Sequence, residues 1–311
     1  MNTELFTSFR DRLLENCGKV ILGKQEVIQR VGVCLIASGH VLLEDLPGTG
    51  KTMLLRAFAK SIGGEFRRIQ FTPDVLPSDL TGIHFYNQKE GVFTFRPGPL
   101  FANVVLADEI NRAVPRSQSA LLEAMEERQI SVDGETFPLA EPYIVMATQN
   151  PIESYGTFPL PEAQLDRFFM KLSLGYMEPE QEKEVLRRAD TRDIIATLKP
   201  VVSPEELAEL RRSFREVEVS EAVTDYIMSV IGATRTSERL AYGVSARGSL
   251  ALYKAAQISA AMAGRSYVIP EDVKSNVVPV LAHRLAVTAG SHLEPDSFLR
   301  QLLDELPVPV E

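Results

Sequence analysis

Residues that build metal centres and disulfide frameworks are scarce in this sequence. Its 311 residues include two cysteines and four histidines. Cys17 and Cys34 lie in predicted helices without the spacing of a metal site, and a disulfide framework needs more than two cysteines. The histidines are scattered along the chain. We therefore expect the two thiols to be reduced core residues, and we expect no histidine-based metal site.

Long apolar runs and an excess of positive charge are also absent. No apolar stretch approaches the roughly 20 residues of a membrane-spanning helix, and Met1–Glu4 does not resemble the start of a signal peptide. The formal net charge is −9 and the pI is near 5.2. Such a balance argues against a general affinity for nucleic acid, although it is compatible with a local basic patch. We expect a soluble, cytoplasmic protein that spans no membrane.

The strongest motif joins a short apolar run to a helix through a Pro- and Gly-rich turn. Val41–Leu43 predicts a buried strand, and an apolar-periodic helix begins at Lys51. Such a turn directs backbone N–H groups and the positive helix end at one point, which favours a phosphate. Lys51 adds charge for the β- and γ-phosphates, and the Thr52 hydroxyl is placed to hold Mg²⁺. The predicted nucleotide-binding residues are Leu46, Pro47, Gly48, Thr49, Gly50, Lys51, Thr52 and Met53.

A second candidate binding element precedes this strand. Val20–Lys24 forms an apolar turn between two predicted helices. A turn in this position is able to hold an adenine ring through Ile21 and Leu22. Plain core packing explains the same two residues equally well, so both interpretations stay open.

A second apolar strand, Val104–Ala107, ends in two carboxylates. Ligands bind at the carboxyl ends of strands in open α/β sheets. Asp108 is suited to hold Mg²⁺ through water, and Glu109 is suited to orient and deprotonate an attacking water. A further buried strand, Tyr143–Thr148, leads to Asn150, whose amide could position that water. These residues predict hydrolysis of the bound nucleotide.

The order of the predicted elements indicates two domains. Strands and helices alternate up to a linker at Gly175–Pro179, and helices alone follow it. We expect an αβα nucleotide-binding domain at residues 1–177, with a central parallel sheet flanked by helices, and an all-helical domain at residues 178–311. Two hairpins are predicted within the first domain, at His84–Phe95 and Gln129–Leu139. From the residues alone, each is either decoration or a functional loop.

Taken together, these motifs resemble the AAA+ ATPases, and more closely the MoxR family. The resemblance rests on residues 44–52, 106–113, 118–127, 147–151 and 160–168, and it covers nearly the whole chain. It implies an AAA+ P-loop domain with two β-hairpin inserts, followed by a helical lid. One position departs from the general P-loop pattern, which has glycine where this chain has Asp45. We expect Asp45 to tune the turn without abolishing nucleotide binding.

The resemblance also implies a role for individual residues and for the assembly. Lys51 and Thr52 match Walker A, Asp108 and Glu109 match Walker B, and Asn150 matches sensor 1. The family assembles as rings, so a hexamer with ATP and Mg²⁺ between subunits is expected. The implied function is chaperone-like remodelling or maturation of a protein client, alongside a partner with a von Willebrand factor A domain.

Arginines are the residues through which such a ring would complete its sites. Arg167 matches the arginine finger, which reaches the neighbouring subunit's nucleotide, and Arg247 resembles the sensor 2 arginine of the lid. Arg112 and Arg116 are further candidates for the interface. Which of Arg112, Arg116 and Arg167 acts in trans stays open at this point.

Three alternative functions remain. A nucleic-acid motor shares the hairpin inserts, but it presents Lys, Arg or stacking aromatics at the hairpin tips. Here Asp133–Glu135 is acidic, and Asn87–Gly91 offers one lysine beside a glutamate. The ATPase subunit of a magnesium chelatase has a similar core. A nucleotide-gated scaffold without hydrolysis is the third, and Glu109 and Asn150 argue against it because a pure switch needs neither.

Overall fold

The computed structural model describes residues 2–45, 48–149, 156–187, 191–288 and 293–309, without the side chains of residues 191 and 192. Its helices are α1 (Thr3–Gly18), α2 (Gln25–Ile36), α3 (Lys51–Ser61), α4 (Pro77–Thr81), α5 (Pro115–Glu127), α6 (Glu162–Leu165), α7 (Pro179–Arg187), α8 (Thr191–Thr197), α9 (Pro204–Ser213), α10 (Glu221–Thr236), α11 (Ala246–Met262), α12 (Pro270–Leu281) and α13 (Pro295–Glu305). Its strands are β1 (Val41–Glu44), β2 (Phe66–Gln70), β3 (Gly82–Asn87), β4 (Val92–Pro97), β5 (Val104–Asp108), β6 (Gln129–Val132), β7 (Glu135–Pro138), β8 (Ile144–Gln149), β9 (Met170–Leu172), β10 (Leu240–Tyr242) and β11 (Ala286–Val287).

Five strands form one parallel sheet in the order β2–β5–β8–β1–β9. The apolar runs of the sequence are its central strands, because β1, β5 and β8 are buried along almost their full length. Continuous apolar strands fit a parallel sheet that helices cover on both faces. All pairings are parallel, so the carboxyl ends meet at one edge, where Glu44 is level with Gln149 and Gln70 with Asp108. The predicted fold class is confirmed, and this edge positions the candidate site.

Two β-hairpins lie outside the central sheet, and both were predicted. β3 pairs antiparallel with β4, and β6 pairs antiparallel with β7. The two hairpins contact each other: the rings of Phe95 and Phe137 stack with centroids 4.3 Å apart. The imidazole Nδ1 of His84 lies 3.0 Å from a carboxylate oxygen of Asp133. The two inserts therefore form one combined element, a contact that the sequence did not predict.

The residues after β9 are mainly helical, as expected, with one correction. β10 and β11 pair antiparallel, so this part is not entirely helical. Both strands are too short for an alternating apolar pattern to be visible in the sequence. The expectation that helices follow the linker is otherwise confirmed by α7 to α13.

Two hydrophobic clusters, one on each face of the sheet, hold the fold together. One contains α1, α2 and α3 together with the helices that follow β9, and the other lies among β5, β8 and α5. α1 and α2 both contact α11. Gly32 permits this close approach, because an added Cβ would lie 3.0 Å from Leu13 and 3.3 Å from Met262. The division into residues 1–177 and 178–311 stays a prediction.

The two cysteines are buried core residues, as the sequence predicted. Cys17 and Cys34 are both free thiols. Burial raises the pKa of the Cys17 thiol to about 11, against a weaker lowering by a hydrogen bond with Ser61. Such thiols are unreactive at neutral pH. Across the described residues, no helix has both the length and the apolar character that crossing a membrane requires.

Candidate active site

The turn between β1 and α3 has the backbone of a phosphate-binding loop. Gly48 and Gly50 have φ values of 86° and 92°, in the left-handed region that favours glycine. Gly50 is the N-cap of α3, so the N-terminal N–H groups of the helix open onto this turn. The ammonium group of Lys51 donates a hydrogen bond to the backbone carbonyl of Asp45 at 3.1 Å. Leu46 and Pro47 lie outside the described residues.

A cavity of about 340 Å³ lies beside this turn. It opens at the carboxyl edge of the sheet and brings together most of the residues that the motifs selected. Its lining residues are Asp45, Gly48, Gly50, Lys51, Thr52, Met53, Arg68, Gln70, Asp108, Glu109, Thr148 and Gln149. We call this the P-loop cavity. Thr49 lies within the turn, between the two glycines.

The two acidic residues at the end of β5 are held by the neighbouring strand β8. The buried hydroxyl of Thr148 donates to Asp108 at 2.7 Å and accepts from the backbone N–H of Glu109 at 2.9 Å. Glu109 has a φ of 57°, which is uncommon for a residue other than glycine. Backbone strain of this kind concentrates at functional sites. Thr148 thus fixes the position of both carboxylate residues, and the sequence reading missed it.

Two polar residues of β2 also reach these carboxylates. The guanidinium of Arg68 lies 2.6 Å from Asp108, and the amide of Gln70 donates to Glu109 at 2.9 Å. Arg112 contacts Glu109 at 3.1 Å within the same subunit. Arg68 and Gln70 were missed, although their spacing of two residues on one strand places both side chains on the same face of the sheet.

The donor set of the P-loop cavity fits ATP with Mg²⁺. The start of α3 and the Lys51 ammonium provide N–H donors and positive charge for phosphates. Thr52 and Asp108 provide hydroxyl and carboxylate oxygens in the same cavity. Mg²⁺ prefers oxygen ligands and is commonly bound by one or two protein groups together with substrate phosphates.

The predictions for Asn150 and for the turn at Ile21 and Leu22 stay untested. Asn150, the expected sensor 1 residue, lies outside the described residues, while its neighbour Gln149 lines the P-loop cavity. Ile21 is buried in the hydrophobic cluster with α1 and α2, and Leu22 is half-buried. Neither is among the described residues that line the P-loop cavity, so their contact with adenine stays a prediction.

Arg167 and Arg247 lie together on a different surface. The guanidinium of Arg167 is 2.5 Å from one carboxylate oxygen of Glu126, and that of Arg247 is 2.8 Å from the other. Both arginines line a second cavity of about 400 Å³, which we call the arginine cavity. Its lining also includes Arg128, Lys254 and Arg284. Among the described residues, none lines both cavities.

Asp166 fixes the relative position of the two arginines. Its carboxylate accepts from the Arg284 guanidinium at 2.8 Å and from the Ser245 hydroxyl at 3.0 Å. Burial lowers the pKa of Arg284, and the bond to Asp166 opposes this effect. Ser245 is the N-cap of α11, the helix that carries Arg247. The neighbour of Arg167 in sequence therefore anchors the start of α11.

Comparisons with known proteins agree with this geometry. Residues 40–170 match the family described as "ATPase family associated with various cellular activities (AAA)", and residues 232–302 match an AAA lid domain. The crystal structure of a candidate ATPase from Cytophaga hutchinsonii superimposes with a TM-score of 0.90 at 37% identity, covering 99% of this chain and 98% of that one. Fold and site together define an AAA+ ATPase.

Two relatives at the sequence level narrow the class. The chain is 47% identical to the uncharacterized protein YeaC of Bacillus subtilis (strain 168), over 96% of this chain and 95% of that protein. It is 42% identical to Chaperone MoxR1 of Mycobacterium tuberculosis, over 96% of this chain and 82% of that protein. The chain belongs to the MoxR family of AAA+ ATPases.

Proposed function

We propose that this protein is a Mg²⁺-dependent ATPase that works as a ring, with each catalytic site shared between two subunits. The observation that carries the proposal is the separation of the arginines from the P-loop. Arg167 and Arg247 converge on Glu126, in a cavity that shares none of its described lining residues with the P-loop cavity. One subunit thus offers a phosphate-binding half and an arginine-bearing half, as a head-to-tail assembly requires.

Within one subunit, the P-loop cavity would bind ATP and prepare the attacking water. Lys51 and the start of α3 hold the phosphates, and Thr52 and Asp108 hold Mg²⁺. When bound, the ion neutralises charge on the phosphates. Glu109 orients the water and accepts its proton, and the Gln70 amide keeps that carboxylate in place. Asn150 would contribute a further polar contact to the water.

The neighbouring subunit would complete the site. Arg167 and Arg247 carry fixed positive charge, which stabilises the negative charge that develops on the transferred phosphoryl group. An arginine supplied in trans is worth about 10³–10⁵ in rate. Arg112 contacts its own subunit's Glu109, and Arg116 is not among the described residues that line the arginine cavity, so we assign the trans role to Arg167.

Hydrolysis in such a ring would drive mechanical work on another protein. We propose a cytoplasmic hexamer that remodels or matures protein complexes, with the boundary between its nucleotide-binding and lid domains at residues 177 and 178. Movement about Gly175–Pro179 would displace the lid when the nucleotide changes. A relative named as a chaperone supports this role. A partner with a von Willebrand factor A domain, which the family resemblance implies, belongs to the same proposal.

Mixing two inactive variants tests the shared site. Glu109→Gln removes the base but keeps the arginines, and Arg167→Ala removes the finger but keeps the base. Each variant alone should be inactive, while the mixture should recover turnover, because random assembly pairs two intact halves at about one interface in four. Light scattering of each variant and of the mixture controls for assembly. A mixture that assembles and binds ATP without recovering turnover would contradict the shared site.

A further inference from the structure

The residue that departs from the general P-loop pattern has an unusual set of partners. Asp45 is 6% exposed, so its charged side chain is buried. Its carboxylate accepts a hydrogen bond from the Ser173 hydroxyl at 2.7 Å. The backbone N–H groups of Leu174 and Gly175 donate to the same carboxylate at 2.8 and 2.9 Å. All three donors belong to the stretch between β9 and α7. We call this stretch, Ser173–Glu178, the linker segment.

This arrangement ties the linker segment to the P-loop. A buried carboxylate is costly unless donors satisfy it, and hydrogen bonds to a charged acceptor are stronger than those between neutral groups. The carboxylate and its three donors therefore move most cheaply as one unit. A glycine in place of Asp45 has no side chain with which to form this connection.

Both ends of the connection lead to functional elements. On one side, Asp45 lines the P-loop cavity, and its carbonyl accepts the hydrogen bond from Lys51. On the other side, the linker segment leads directly into α7. Gly175 has a φ of 60°, a left-handed conformation that glycine adopts without strain. The Lys24 ammonium donates to the carbonyl of Tyr176 at 2.6 Å, which fastens the middle of the segment.

We propose that Asp45 is a positioning residue that transmits the nucleotide state of the P-loop to the linker segment and to α7. The inference rests on the proposed function, because it describes how that site controls the second domain. A phosphate in the P-loop cavity draws the Lys51 ammonium away from the Asp45 carbonyl. The backbone at Asp45 then adjusts, its carboxylate shifts, and the three donors follow. The start of α7 is displaced with them.

Hydrogen exchange of α7 amides, with and without saturating Mg²⁺–ADP as the probe, tests this coupling. In the wild type, ADP should change the exchange rates at residues 182–187 by about threefold or more. In Asp45→Gly, which restores the general P-loop residue, a titration first finds the Mg²⁺–ADP concentration that saturates the variant, so that weaker binding is not mistaken for lost coupling. Its α7 exchange should become independent of ADP.

Glu44→Gln provides the matched control. Glu44 is the preceding residue on β1, and it pairs with Lys171 at 3.1 Å rather than with the linker segment. Removing its charge should leave the ADP response of α7 intact. Ser173→Ala, which removes one donor and keeps the carboxylate, should reduce the response partially, and it carries the test if Asp45→Gly does not fold.

Two outcomes would overturn the inference. One is that α7 of Asp45→Gly responds to ADP as strongly as α7 of the wild type. If Asp45→Gly does not fold, the same result in Ser173→Ala counts against the inference. The other is a wild-type protein that binds ADP without any change in α7. Neither readout requires hydrolysis, so a wild type that couples ADP to α7 but never turns over ATP would refute the proposed function and leave the role of Asp45 standing.

Discussion

The P-loop cavity and the arginine cavity are similar in size and opposite in construction. The first measures about 340 Å³ and is built from a glycine turn, a helix start and strand-end carboxylates. The second measures about 400 Å³ and is built from long cationic side chains that come from both halves of the chain. Backbone geometry defines the first cavity, and side-chain ion pairs define the second. On the proposed function, the P-loop cavity is the receiving half of the shared site and is held by the backbone, whereas the arginine cavity is the donating half and must reorganise to act.

In both cavities the proposed functional side chains form ion pairs with oppositely charged residues of the same subunit. Arg68 lies on Asp108, where the proposed site needs Mg²⁺, and Glu126 lies between Arg167 and Arg247, where it needs phosphate. Each internal partner resembles the charge that the nucleotide of the assembled ring would bring. On the proposed function, binding and assembly exchange these partners rather than fill bare sites, so each charged side chain is paired both before and after the exchange.

The largest effect on turnover is expected from the Glu109 carboxylate in the P-loop cavity. Glu109→Gln removes the proposed base while keeping a side chain that can still contact Gln70, so turnover should fall by about 10²–10⁴. ADP affinity should stay close to that of the wild type. Steady-state ATPase assays and ADP titrations measure the two quantities. Turnover above a tenth of the wild-type value would assign the proton acceptor to another residue.

The contrast between the cavities also explains what could be predicted from the sequence. Residues 41–52 and residues 104–109 each form one continuous stretch, so the order of strand, turn and helix predicted most of the P-loop cavity. Arg68, Gln70 and Thr148 contribute through strand neighbours that only the sheet order reveals. Glu126 was missed because its position on an exposed helix face shows no local pattern. Its role depends on contacts with two arginines 41 and 121 residues away.

Acidification should destabilise the fold at His40, a buried residue that lines the arginine cavity. Burial lowers the pKa of His40 to about 4 from 6.5, with a smaller contribution from Arg128. His40 accepts from the N–H of Val145 at 3.0 Å and donates to the Met125 carbonyl at 2.9 Å, a pairing that requires the neutral ring. Its contribution is present above pH 6.5 and is lost as pH falls toward 4, by about 3 kcal/mol in free energy of unfolding.

Urea unfolding at a series of pH values measures this loss. His40→Phe should be less stable near neutral pH but should lose less on acidification, because it cannot bind the proton that favours unfolding. Equal slopes in His40→Phe and the wild type would show that other groups cause the acid sensitivity.

Arg247→Ala tests whether Arg247 acts on the neighbouring subunit's nucleotide, as proposed for Arg167. Its loss should lower turnover by about 10–100-fold, since a single charge-assisted contact is worth roughly 1.5–3 kcal/mol. Arg212→Ala, at an exposed ion pair with Glu209, should have no effect. Mixing Arg247→Ala with Glu109→Gln should restore turnover if Arg247 acts on the neighbouring subunit. An assembled mixture that stays inactive would place Arg247 over its own subunit's nucleotide.

The smallest effect is expected at Glu126, and its direction is informative. The pair is partly exposed, with 36% of the Glu126 side chain accessible, so its attraction for the arginines is screened. In Glu126→Gln the arginines no longer share a carboxylate and attract the neighbour's phosphates more strongly. Half-maximal turnover should therefore occur at a protein concentration about two- to fivefold lower, with the maximum unchanged. Glu123→Gln, one turn earlier on the exposed face of α5, should behave as the wild type. A lower maximum in Glu126→Gln would mean that the carboxylate orients the arginines for catalysis, and the donating half would then be as preorganised as the receiving one.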